Sequence, residues 1–73
     1  MWSKQKLKKE ILKYVDQVGL PEFLYEEIVK ILDNVNYYKL KNLYNNLDTF
    51  IDYLDSLKQS YYQEIKDFII NEK

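Results

Sequence analysis

Seventy-three residues, with 47% hydrophobic and 32% charged side chains, make one small domain at a length where a single core leaves little net stability and self-association is a common remedy. Cysteine and histidine are absent, and the eleven basic residues, all lysine, face twelve acidic ones for a net charge of −1. That composition excludes a disulfide framework or thiolate metal site, removes the usual general base and thiol nucleophile, and lacks both the basic excess and the arginines of a general polyanion binder.

The first helix is expected over about 3–18, with Ser3 as N-cap. Leu7, Ile11, Tyr14 and Val18 form its apolar stripe, flanked by Val15. Gly19 follows where a left-handed C-terminal cap is wanted, and Pro21 suits the first turn of a second helix. That helix runs over about 21–35 with the stripe Leu24, Ile28, Ile31 and Val35, and Glu22, Glu26 and Glu27 near its start favour the helix dipole. The two stripes are about 100° out of register, so the chain turns between them.

Residues 7–18, LKKEILKYVDQV, resemble residues 24–35, LYEEIVKILDNV, at an offset of seventeen. An internal duplication is one reading. Chance agreement between two amphipathic helices is the preferred one, because only two good copies exist and the residue pool is skewed, with Lys, Asn, Ile and Tyr abundant and Ala and Arg missing, as in an AT-rich genome.

Asn34-Val35-Asn36 marks the next break, and Asn36 is a suitable cap. The remainder, about 37–72, reads as one long amphipathic helix. Leu40, Leu43, Leu47, Phe50, Ile51, Leu54, Leu57, Tyr61, Ile65, Phe68 and Ile69 lie within about 60° of one line. Two places weaken it: Asn45-Asn46-Leu47-Asp48 is a poor helix former, and Ser60-x-x-Gln63 fits a capping box. A break at either place gives a four-helix alternative, with the position near 59–60 the one expected. The fold class is therefore all-α, a small helical bundle of two short helices and one long C-terminal helix, or of four.

Length carries the functional expectation. The last segment spans about 54 Å as a continuous helix, and the leading helices about 24 Å each, so a hairpin of the first two covers about half of it. The uncovered half predicts a partner, most simply another copy of the chain, as a dimer. The candidate oligomer face is Leu40, Leu43, Leu47, Phe50, Ile51, Leu54, Leu57, Tyr61, Ile65 and Phe68. The function expected is a non-enzymatic protein–protein interaction or regulatory module that also binds an unidentified protein, with no cofactor, metal or small-molecule substrate.

The alternative lies at the N-terminus, where five lysines against Glu10 give residues 1–15 a net +4. Trp2, Lys6, Lys9 and Lys13 share a face that suits a nucleic-acid backbone or an anionic membrane. Asp48, Asp52 and Asp55 could hold a hard cation, but their position away from the stripe reads as a solvated face. Tyr37, Tyr44 and Tyr62 form a flanking row that widens the buried face beyond a two-stranded seam. Ser3, Thr49, Ser56 and Ser60 have no evident activating partner. No apolar run reaches the roughly 20 residues that span a bilayer, and Met1-Trp2-Ser3-Lys4 does not read as a secretory signal, so a cytoplasmic protein is expected.

Overall fold

The computed structural model describes residues 2–71, and the side chains of 2–70. Four helices account for nearly all of them, with no strand among the described residues: α1 (Lys4–Val18), α2 (Glu22–Asn34), α3 (Tyr37–Asn45) and α4 (Leu47–Asn71). The fold is a small all-α one in its four-helix form. Residue 72, where the last helix was expected to end, lies outside the described residues.

The first turns follow from local chemistry. The Ser3 hydroxyl accepts from the Lys6 N–H at 3.2 Å, and Gly19 closes α1 at φ 75°, ψ 42°, a conformation that costs a residue with a Cβ about 1–2 kcal/mol. Pro21 takes the N-cap position of α2 rather than its first helical one, and its carbonyl accepts from Leu24 and Tyr25. Asn36 caps α3, its Oδ1 accepting from the Lys39 N–H at 2.9 Å.

The break in the long segment falls at Asn46, not near 59–60. Asn46 sits at φ −116°, ψ 36°, and its side-chain amide donates to the Asn42 carbonyl at 2.9 Å. The Asn46 N–H is shared between the Asn42 and Leu43 carbonyls, and the Phe50 N–H still bonds the Asn46 carbonyl. This is a kink in which an asparagine side chain competes for a helix carbonyl. The bonds on either side survive, which is why the apolar register runs through it undisturbed. Ser60 lies inside α4, and Gln63 donates to Asp67 at 2.8 Å instead of closing a capping box.

α1 is the central element. It packs on α2, α3 and α4, whereas α2 packs closely on α1 alone. α1 runs in the same direction as α3 and α4: Trp2 meets Tyr44 at one end, and the Val18 carbonyl meets Lys58 at the other. α2 returns antiparallel, with Asp33 paired to Lys8 and the Phe23 ring edge-on to Tyr61. Leu7, Ile11, Val15 and Val18 of α1 supply four of the seven buried core side chains; Leu32, Leu40 and Leu54 complete it. The molecule measures 55 × 20 × 17 Å. Its long axis exceeds the roughly 22 Å of α1 because α4 continues past the hairpin, leaving Phe68 at 69% and Ile69 at 67% exposure.

Candidate functional site: an apolar groove and an uncovered helix end

Because α2 is held mainly by α1 and meets α4 at the Phe23–Tyr61 ring contact, a groove of about 460 Å³ opens between α2 and the α3–α4 wall. Leu24, Ile28 and Ile31 of α2 face Leu43, Phe50, Tyr53 and Leu57 across it, with Leu32 and Leu54 at its floor. Among the described residues, Glu27 and Lys39 are the only charged side chains in the lining. Ile31 is 58% exposed and Leu57 39%. Such a lining has almost nothing to offer a polar ligand and a broad surface for an apolar one.

The ten residues expected to form one outward face are divided by the fold. Leu40 and Leu54 are buried in the chain's own core, where α1 covers them, so they cannot also face a second molecule. Leu47 and Ile51 are half-buried against that core. Leu43 and Phe50 are half-buried in the groove wall, and Leu57 lies at the exposed end of that wall. Tyr61 is half-buried beside Phe23. Ile65 and Phe68 stand uncovered on the projecting end of α4, with Ile69 beside them.

Sequence reasoning missed the α2 wall. Its signal was present: Phe23, Leu24, Tyr25, Ile28, Val29, Ile31 and Leu32 spread around more of α2 than one packed neighbour can cover. Lys58 was missed too. Its ammonium donates to the Val18 carbonyl at 2.8 Å, tying α4 to the end of α1, and no local pattern announces a contact forty positions apart.

The lysines of the basic face stay exposed, two of them beside a carboxylate of their own helix. Lys6 sits 3.7 Å from the Glu10 carboxylate and 5.4 Å from the centre of the Trp2 ring. Lys13 reaches the same carboxylate at 3.3 Å. Trp2 lies edge-on to Tyr44 at 5.3 Å, and its carbonyl accepts from the Tyr37 hydroxyl at 3.1 Å. Lys9 alone of the four is exposed with no ion-pair partner among the described residues. Trp2 thus rests edge-on against α3 and is still 40% exposed. Tyr37 and Tyr44 are half-buried there, while Tyr62 is exposed on α4.

Asp48, Asp52 and Asp55 are exposed. No group of three or more His, Cys, Asp or Glu side chains placed to hold a metal ion occurs among the described residues. Nor is any described helix long and apolar enough to cross a membrane. Fold and groove together define a small all-α protein with an open apolar cleft. Set against protein-family models, curated proteins and solved structures, the chain matches none of them.

Proposed function

We propose that this chain is a non-enzymatic protein–protein interaction module that self-associates through apolar surface in residues 40–69 together with the facing wall of α2. One observation carries the reading: the groove and the end of α4 leave Ile31, Tyr53, Leu57, Ile65, Phe68 and Ile69 between 39% and 69% exposed. Fully burying such a side chain is worth roughly 1.5–3 kcal/mol. Even at half exposure the six together forgo several kcal/mol, against a net stability of about 5 kcal/mol for a domain this small. Contiguous apolar surface of this kind marks an interaction site on a small protein.

The groove chemistry fits an amphipathic helix as the bound element. Helix-in-groove recognition reads apolar side chains three and four residues apart, and the wall residues Phe50, Tyr53 and Leu57 repeat at that spacing. Sedimentation at micromolar concentration tests the reading. The expected result is a dimer or larger species in concentration-dependent exchange with monomer. A folded chain that stays monomeric throughout that range overturns it.

A further inference from the structure

We infer that the occupant of the groove is the projecting end of α4 from a second copy, exchanged reciprocally about a two-fold axis that passes near Leu57. The inference rests on the self-association just proposed and specifies its geometry.

Lengths are the first argument. Leu57 lies fourteen residues from Leu43, the last apolar side chain of the α3–α4 wall before Lys39, and fourteen from Asn71, the last residue of α4. Each stretch spans about 21 Å of helix. An antiparallel pair of α4 helices centred on Leu57 therefore lays each free end along the apolar length of the other copy's groove, as far as Leu43 and short of Lys39. Direction is the second. Within α4, Phe68 shares its angular position with Phe50, and Ile65 lies about 60° away from it. The apolar stripe of the free end thus continues the groove wall, and the two-fold turns that stripe into the partner's cleft.

Area is the third. The six exposed side chains, at roughly 150–200 Å² each when fully exposed, offer about 600 Å² per protomer, so the pair buries on the order of 1,200 Å², the lower edge of a specific interface. A single isologous contact covers both the cleft and the free end of each protomer and leaves no open surface to propagate. Parallel pairing, or pairing of the free ends alone, leaves both grooves empty.

The natural absence of cysteine makes single-cysteine chains clean reporters of this register. Under mild oxidation Leu57→Cys is expected to form an inter-chain disulfide, because the two copies of that position meet at the axis. Phe68→Cys alone is expected to stay unlinked, its two copies lying about 33 Å apart along the helices. Glu64→Cys chains mixed with Phe50→Cys chains should cross-link to each other but not to themselves. In parallel, Phe68→Asp and Ile31→Asp should each shift the chain to monomer with helix content unchanged, since both side chains are exposed in the single chain.

Self-linking of Phe68→Cys without Leu57→Cys in a chain that still dimerises overturns the exchange while leaving self-association intact. A monomer at every concentration overturns both. If an aspartate variant fails to fold, the cross-linking pattern alone decides.

Discussion

α1 and α2 match at six of the twelve positions aligned between 7–18 and 24–35, and they are opposites in burial. At the offset of seventeen, Leu7, Ile11, Val15 and Val18 correspond to Leu24, Ile28, Leu32 and Val35. All four on α1 are buried; on α2 only Leu32 is. Their stripes are equally apolar, so the difference comes from position. α1 lies among the other three helices, whereas α2 closes on α1 alone. An apolar stripe states that a face needs cover, and topology decides whether the same chain supplies it.

The sharpest way to break that comparison is to truncate equivalent residues. Ile11, fully buried, should lose about 2–5 kcal/mol on change to Ala, enough to unfold a domain of this size. Ile28→Ala, at the half-exposed equivalent, should cost about 1–2 kcal/mol because less surface leaves water and the groove wall can relax. Urea unfolding of dilute protein measures both. Equal losses would show that the cleft is filled even at low concentration. A deficit at Ile28 that grows with protein concentration would show it filling by association.

The helix ends differ as well. α1 stops at left-handed Gly19, while α2 stops at Val35 in extended backbone, φ −89°, ψ 153°. Gly19→Ala should therefore cost about 1–2 kcal/mol in thermal unfolding through backbone strain alone. The added Cβ would lie 3.4 Å from the Lys58 ammonium, an ordinary contact distance, so backbone strain rather than loss of that tie is expected to set the cost. Lys58→Met separates the two. It keeps the aliphatic stem and removes the charged donor to the Val18 carbonyl, for an expected loss of about 1 kcal/mol. A double variant whose loss falls short of the sum would show that glycine and lysine act as one closure.

Much of this was legible beforehand, for local reasons. Ser3, Gly19 and Asn36 act as caps because capping is chemistry within four residues, and the stripes of α1 and α2 set the hairpin. The kink was harder to read, since Ser60 and Asn46 both offer a local alternative to the helix. Asn46 prevails where its side chain captures the Asn42 carbonyl, a contest that depends on rotamer and not on pattern. The assignment of Leu40 and Leu54 to an outer face misread one periodicity as one destination. Both lie on the same line as Phe68, and what separates them is how far along α4 the hairpin reaches. The α2 wall was hidden for the same reason in reverse, its stripe being counted as covered once it had one neighbour.

The smallest expected effect concerns what holds α2 at its angle. Lys8 and Asp33 join the start of α1 to the end of α2, with side-chain exposures of 22% and 47%. A pair this open is screened and typically contributes about 0.2–1 kcal/mol. Lys8→Ala, Asp33→Ala and the double variant, compared by urea unfolding, should give a coupling of that size that vanishes in high salt. Orientation of α2 then falls to Leu32, whose burial against α1 does not respond to salt. A coupling well above about 1 kcal/mol would reverse that assignment. The tilt of α2, and with it the width of the cleft, would then depend on ionic strength, and association should change with salt although its contacts are apolar.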